Sequence, residues 1–363
     1  MGVHLFVPML HRHDAVGEHT MALRDRLSRA GVASRIYIQI PDPGTADQTH
    51  HYLDYESDAE AGDVLVYQFA TESVMAPWLA GRSEPVVINY HSITPPEYFW
   101  PWSNGITRLQ VGAQIELGQL APRAALGVAV SHFDEAELHR AGCARTTVIP
   151  VAQMAVPPVE PDPAVVDRLR ARDAGRGPRW LSVGRLAPNK CHHQTIAALF
   201  VARATMGPGP RLTLVGAPSE PAYARALRHY AAALGLADSV EFVTGLTDAE
   251  LAARYRSADA LVMLSEHEGY GVPLVEAMGQ GLPVVAFGAG AVREVLGDGG
   301  VVLANKHPLH VAESVSRLLA DGAEQSRLVE AGRARFAALG LGDAGDRLVE
   351  ALRSVAEEPT SAR

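Results

Sequence analysis

Short runs of β-branched and other apolar residues alternate with helix-length segments along the whole chain, and this alternation most constrains its fold. Runs at 3–8, 34–39, 63–68, 85–90, 126–131 and 147–151 in the first half read as strands, as do runs at 179–184, 211–216, 239–243, 260–264, 283–287 and 300–303 in the second. They are close to continuously apolar, the pattern of parallel strands covered by helices on both faces. The segment 17–30 illustrates the helices: Met21, Leu23, Leu27 and Ala30 recur at helical spacing, and Gly31 stops the run. At 363 residues the chain exceeds a typical single domain. A boundary is expected within 150–178, where Pro150, Pro157, Pro158, Pro161 and Pro163 interrupt regular structure and Asp173-Ala174-Gly175-Arg176-Gly177-Pro178 makes a second break. The expected architecture is therefore α/β, with two doubly wound parallel-sheet (Rossmann-like) domains at 1–160 and 161–340. A closing helix follows within 341–363, reading as helix from Asp343 to Glu357 with 358–363 frayed. In open α/β sheets ligands bind beyond the carboxyl ends of the strands, so two such edges facing each other would form an interdomain cleft.

Charge and composition exclude several classes of partner. The net charge is −9, and residues 1–150 carry ten arginines, no lysine and seventeen acids, about −7 for that half alone. A nucleic-acid-binding protein usually shows a basic face, and docking on anionic lipid uses clustered Lys and Arg, so both readings are disfavoured. The start, Met1-Gly2-Val3-His4-Leu5-Phe6-Val7-Pro8, reads as a first strand rather than a signal peptide, and no apolar run approaches a membrane span. Cys143 and Cys191 are the only cysteines and cannot form a metal-type pattern. The expectation is a cytoplasmic protein. Only two lysines occur, Lys190 and Lys306.

The segment most informative for chemistry is Ser265-Glu266-His267-Glu268-Gly269-Tyr270-Gly271-Val272-Pro273-Leu274-Val275-Glu276-Ala277-Met278-Gly279-Gln280-Gly281-Leu282-Pro283-Val284-Val285-Ala286. Glu268 and Glu276 have seven residues between them, and a loop with Gly269 and Gly271 leads into Pro273, a favoured first helical residue. A helix start leaves backbone N–H groups unpaired and favours an anion, and glycines let a ligand approach closely. Two carboxylates bordering an anion site are poised to accept hydrogen bonds from hydroxyls. A phosphate flanked by polyhydroxylated ends, as in a nucleotide-sugar, fits. Upstream, Trp180-Leu181-Ser182-Val183-Gly184-Arg185-Leu186-Ala187-Pro188-Asn189-Lys190 ends a strand with Arg185 and Lys190 at its carboxyl side. Arg offers a planar fork and Lys a compact point charge to a diphosphate, and donors aimed at developing charge favour the transition state. The competing reading, an ordinary βαβ crossover with incidental acids, leaves this upstream element unexplained.

Together these segments resemble the signature of the retaining glycosyltransferases of family 4, which have the GT-B fold. The resemblance is specific at 265–286 and looser over most of the chain. It implies that Gly184, Arg185 and Lys190 hold the donor's phosphates, that Glu276 holds the ribose hydroxyls and that Glu268 faces the transferred sugar. It further implies that backbone amides at Gly271, Val272 and Leu274 cradle sugar and phosphate, and that Gly245 and Leu246, within Thr244-Gly245-Leu246-Thr247-Asp248, contact the base through their backbone. In the first domain, Val86-Val87-Ile88-Asn89-Tyr90-His91 is a buried strand ending on a histidine before a Pro-stiffened loop, matching the family's pocket histidine; His91 would bond the donor sugar and polarise the reacting centre. The loop His11-Arg12-His13-Asp14-Ala15-Val16-Gly17-Glu18 matches the family's glycine loop only partly, with Gly17 alone where many members have two glycines. His11, His13 and Asp14 lack a confirming partner spacing for a metal.

Other motifs are set aside. Ser131-His132 lacks the Gly-x-Ser-x-Gly elbow of a hydrolase. Gly288-Ala289-Gly290 has Arg293 where a dinucleotide fingerprint needs its third glycine. His192 and His193 read as solvent or helix-face residues. The expected activity is transfer of a hexose-type sugar from a nucleoside diphosphate to a hydroxyl acceptor with retention, with no metal and no cofactor besides the co-substrate. The acidic first half suits a soluble, cationic small-molecule acceptor such as an aminocyclitol or another natural-product core. A cell-envelope lipid or polysaccharide is the alternative. A GT-B epimerase or phosphorylase, or a non-catalytic nucleotide-sugar binding module, would be of another class. The donor base, the sugar, the linkage and the oligomeric state stay open.

Overall fold

The computed structural model describes residues 2–10, 15–151, 158–207 and 209–357. These divide into two compact units, one comprising 2–10, 15–97, 104–151 and 340–357, the other 98–103, 158–207 and 209–339.

The first unit is built on a seven-stranded parallel sheet. In chain order its strands are β1 (Val3–Val7), β2 (Ile36–Ile38), β3 (Thr49–His51), β4 (Val64–Phe69), β5 (Val86–Tyr90), β6 (Leu126–Ala129) and β7 (Thr146–Val148). They lie in the order β3-β2-β1-β4-β5-β6-β7. β1, β2, β4 and β5 are buried at every position, as their continuous apolar runs predict. One face packs Val3, Leu5, Val64 and Val66 against Leu23 and Leu27 of the helix Ala15–Arg29. The other face stacks Phe6, Tyr37, Tyr55, Tyr67 and Phe69. The helix Ala344–Glu357 returns to this unit, placing Leu348, Leu352 and Val355 in the first face's core, and Arg26 pairs with Asp346 at 2.9 Å. The strand β3 has no counterpart among the sequence-predicted runs. Thr49-His50-His51 carries no apolar side chain because it is an edge strand, exposed at both histidines and held by pairing with Ile36–Ile38.

The second unit carries a six-stranded parallel sheet: β8 (Arg179–Val183), β9 (Arg211–Val215), β10 (Val240–Val243), β11 (Ala260–Met263), β12 (Val284–Phe287) and β13 (Val301–Leu303), in the order β10-β9-β8-β11-β12-β13. Trp180, Leu212, Leu214, Val262 and Val285 form its core with Ile196 and Leu199 from the helix His192–Met206. Both sheets reverse direction of travel at their first strand. The neighbours at those reversals, β1 with β4 and β8 with β11, mark where a ligand crevice forms in a doubly wound fold. The predicted segments 11–14, with His11, His13 and Asp14, and 358–363 lie outside the described residues.

Candidate functional site

In the second unit, the carboxyl end of β8 turns at Gly184, whose φ of +143° is open mainly to glycine. The neighbouring strand makes the same demand. A Cβ on Gly216 would lie 2.0 Å from the Gly184 carbonyl oxygen, so the two backbones pack directly against each other. The amides of Gly184 and Leu186 bond the carbonyls of Val215 and Ala217 at 2.9 Å each, fixing the turn that carries Arg185 outward as an exposed side chain. Beneath it lies His192, wholly buried, whose Nε2 is 3.1 Å from the Arg185 carbonyl and whose Nδ1 is 3.4 Å from Ser182 Oγ. A carbonyl can only accept, so Nε2 carries the proton and Nδ1 accepts from the serine. Burial pushes the His192 imidazole down to about 4, which keeps it neutral. Of the two expectations for His192, solvent or helix face, the first is corrected: it opens the helix His192–Met206 and is a buried prop for the turn that presents Arg185.

Lys190 lies in the single 3-10 turn Pro188–Lys190, ahead of the helix His192–Met206. Its Nζ donates to Glu268 Oε1 at 2.6 Å, with the lysine side chain 18% and the carboxylate 6% exposed. Asn189 ties the same two loops together. Its carbonyl accepts from the Glu266 amide at 2.8 Å, and its Nδ2 donates to the His267 carbonyl at 3.3 Å. A third loop holds Glu268 from behind. The Glu268 carbonyl accepts from the Ala291 amide at 2.9 Å, and a Cβ on Gly290, at φ +56°, would come within 2.3 Å of that oxygen. The Gly288-Ala289-Gly290 motif, set aside as a nucleotide fingerprint, therefore serves close approach to the Glu268 backbone.

Gly271 opens the helix Val272–Gln280 in the left-handed conformation (φ +86°), with no side chain capping the helix. The amide of Leu274 is already bonded to the Gly271 carbonyl at 2.8 Å, and its side chain is buried in the core, so this position is committed to the turn itself. Glu276, the fifth residue of the helix, is half-buried, and its Oε2 accepts from the Tyr255 hydroxyl at 2.5 Å. Gly245 and Leu246 form the turn between β10 and the helix Asp248–Ser257, which Thr247 caps in a reciprocal box with Glu250. A cavity of about 280 Å³ lies instead at the amino edge of this sheet, among Arg172, Arg179, Arg254 and Glu241. It is laced by ion pairs, Arg254–Glu241 at 2.9 Å among them, and is far from the strand ends that carry the chemistry.

In the first unit, His91 follows β5, and its amide bonds the Phe69 carbonyl at 2.9 Å. Its Nε2 donates to Gln68 Oε1 at 2.8 Å; the same oxygen accepts from Asn89 Nδ2 at 2.8 Å, which also lies 2.8 Å from His19 Nε2. The His19 and His91 rings meet edge to face at 5.2 Å. Burial, reinforced by His19, holds His91 well below the usual histidine range, so the imidazole is neutral. The next residue, Ser92, has φ +60°, a strained position for a residue with a side chain. Its Oγ is buried without a partner among the described residues. Gly17 is buried within the first turn of the helix Ala15–Arg29, two residues before His19, rather than in a loop. Sequence reasoning missed His19, Gln68 and Asn89. For Gln68 and Asn89 the legible signal was a polar residue inside an otherwise apolar strand; His19 lies on a helix and carried no such signal.

The structure thus brings Gly184, Lys190, Glu268 and Gly271 to neighbouring strand ends of one sheet, with Glu276 further along the helix and His91 in a separate hydrogen-bonded cluster of the other unit. Ser131 accepts from the Asp134 amide at 3.1 Å as a helix cap, and His132 bonds Glu135, which explains the serine without catalysis. Among the described residues no group of three or more His, Cys, Asp or Glu is arranged to hold a metal, and no helix is long and apolar enough to cross a membrane.

Residues 171–335 match the family described as glycosyl transferases group 1. The chain is 36% identical over 171 residues to the D-inositol 3-phosphate glycosyltransferase of Frankia alni, a match covering 45% of this chain and 42% of that protein. It is 32% identical over 183 residues to the GDP-mannose-dependent alpha-(1-6)-phosphatidylinositol monomannoside mannosyltransferase of Mycobacterium tuberculosis, covering 48% and 46%. The chain therefore spans less than half the length of these curated relatives. Its fold is similar to that of Anabaena Alr3699/HepE, solved in complex with UDP-glucose, with a TM-score of 0.77 over 98% of this chain and 100% of that one at 19% identity. The fold is that of GT-B proteins: two doubly wound parallel-sheet domains in one chain.

Proposed function

We propose that the chain is a nucleotide-sugar-dependent hexosyltransferase of the retaining kind, with the donor held by its second unit. The observation that carries this reading is the Lys190–Glu268 pair at the β8/β11 reversal, beside a glycine-headed helix. A mostly buried ion pair is costly to break by simple removal of one partner. A nucleoside diphosphate sugar offers a replacement for each half of it: phosphate oxygens for the ammonium, and sugar hydroxyls for the carboxylate. Arg185, exposed on its braced turn, adds a second cation. In the reaction the bond from the anomeric carbon to the phosphate oxygen breaks and a bond to the acceptor oxygen forms on the same face. The acceptor's proton passes to the departing phosphate. Lys190 and Arg185 stabilise the charge gathering there. Glu276 takes the ribose hydroxyls, and the backbone at Gly245 and Leu246 meets the base. His91, kept neutral, is a hydrogen-bonding group for the sugar.

The acceptor is proposed to be a soluble polyol or aminocyclitol-like small molecule. The hydrogen-bonding cluster of the first unit supports this, as does the relative named for D-inositol 3-phosphate, itself a small polyol phosphate. The relative named for a phosphatidylinositol mannoside makes a lipid acceptor the second reading. A cytoplasmic location is proposed with either. The test is a thermal-shift screen of UDP- and GDP-sugars, followed by turnover with inositol-type and lipid acceptors and NMR of the product's anomeric proton. A stabilising donor and an unchanged anomeric configuration are expected. A product of inverted configuration, or donor epimerisation without acceptor, would overturn the reading. Selective transfer to vesicle-borne lipid would move the acceptor to the second reading.

A further inference from the structure

Each lysine of a chain that otherwise uses arginine pairs with a glutamate of the same loop, Lys190 with Glu268 and Lys306 with Glu266. Lys306 follows β13. Its ammonium is paired with the Glu266 carboxylate, lies 3.1 Å from Cys191 Sγ and sits 5.3 Å from the centre of the Phe287 ring. Only 12% of its side chain is exposed. Each group it holds adjoins the proposed donor machinery. Cys191 directly follows Lys190, and Glu266 precedes Glu268 by two residues and bonds the Asn189 carbonyl through its amide. Three strand-end loops, at 188–191, 265–268 and 304–307, therefore converge on one ammonium.

Cys191 makes that convergence informative. It occupies the left-handed region at φ +52°, where a residue with a side chain is strained and glycine is the easy choice. Such a conformation persists when its surroundings over-determine it. Here the buried thiol is fixed between the carbonyls of Pro188 and Asn189, at 3.6 and 3.7 Å, and the Lys306 ammonium. Cys191 is joined directly to Lys190, so what fixes its thiol and backbone also restrains the residue whose ammonium meets Glu268. One compact ammonium meets thiol, carboxylate and ring together, whereas a planar guanidinium spreads its charge and donors over a fork.

We infer that Lys306 is a positioning residue of the donor site. Through Glu266 and Cys191 it fixes the loop that presents Lys190 to the diphosphate. This rests on the proposed role of Lys190. The test is a double-mutant cycle on the full chain, using Lys190→Ala, Lys306→Met and the pair, with kcat, donor KM and UDP or GDP affinity as readouts. Lys306→Met is expected to lower kcat about tenfold while donor KM changes much less. The loss should disappear in the Lys190→Ala background, because Lys306 then has nothing left to aim. Lys306→Arg should fail to restore the rate. A wild-type kcat in Lys306→Met, or an equal loss with and without Lys190, would overturn the inference. If Lys306→Met does not fold, Glu266→Gln enters the same cycle with the same expectation. Failure of the functional reading looks different: Lys190→Ala alone would then turn over normally.

Discussion

The two reversal points of this molecule carry opposite kinds of chemistry. In the second unit the strand ends present formal charge: Arg185, and Lys190 against Glu268 at 2.6 Å, beside an uncapped helix start. In the first unit the equivalent edge presents a hydrogen-bonding cluster, with His19, Gln68, Asn89 and His91 joined by 2.8 Å contacts and His91 kept uncharged by burial. One edge matches phosphates, whose charge must be met by charge. The other matches hydroxyls, for which a fixed array of neutral donors and acceptors gives orientation without a large desolvation cost. On the proposed function, the same doubly wound scaffold divides the labour of a glycosyl transfer between its two copies, and the division can be attacked experimentally.

The largest expected effect is at the charged edge. Lys190→Ala should lower kcat by the equivalent of about 2–4 kcal/mol, comparable to removing one preorganised oxyanion donor. Steady-state kinetics with the cognate donor checks it, and unchanged turnover would remove Lys190 from the mechanism. His91→Ala, at the neutral edge, should cost less, about 1–3 kcal/mol, the scale of a buried neutral hydrogen-bonding group. Equal losses at the two positions would erase the distinction between the edges.

A second effect concerns the prop beneath the charged edge. His192 titrates near 4 in the folded chain against an ordinary value of about 6.5. The unfolded chain therefore binds more protons between those values, so stability is full above pH 6.5 and is lost as pH falls toward 4. The group's share of that loss is about 3 kcal/mol. His192→Gln should flatten the fall in Tm between pH 6.5 and 4.5. An unaltered pH profile would show that the imidazole is solvated.

Glu276→Ala should be milder, raising donor KM about tenfold, or roughly 1.4 kcal/mol, with kcat nearly unchanged, because a ribose contact binds ground state and transition state alike. An unaltered KM would contradict the ribose role and leave Glu276 as a partner of Tyr255 alone.

How much of this was written in the sequence differs between the edges. The charged edge was legible because its parts are close together in the chain: Gly184, Arg185 and Lys190 fall within seven residues, and Glu268, Gly271 and Glu276 within nine. The neutral edge was only half legible. His91 ends a strand and could be singled out, but His19, Gln68 and Asn89 come from three separate elements that only the parallel order of β4 and β5 and the helix over β1 bring together. The strands were legible wherever burial demanded an apolar run, and β3 was not, because an exposed edge makes no such demand. His192 was misread for a related reason. Its burial comes from the turn above it, a tertiary feature with no periodic trace.

The smallest effect sharpens the claim that the first unit's edge resists charge. Glu116, on the helix Asn104–Leu120, accepts from the Ser73 amide at 2.9 Å just beyond β4, and burial together with nearby Glu72 pushes its carboxyl up to about 7. A folded-state value raised above the unfolded one means that stability is full below about 4.5 and is lost as pH rises through 7. The side chain is only half-buried, so solvent screening reduces the cost of its ionisation to about 1 kcal/mol. Glu116→Gln keeps an oxygen for the Ser73 amide and removes the charge. It should raise Tm by about 1–2 °C at pH 8 and leave it unchanged at pH 4, as scanning calorimetry at the two pH values would show. A variant less stable at pH 8 would mean that the edge needs this carboxylate ionised, and the contrast between a charged and a neutral strand edge would then fail at its most acidic point.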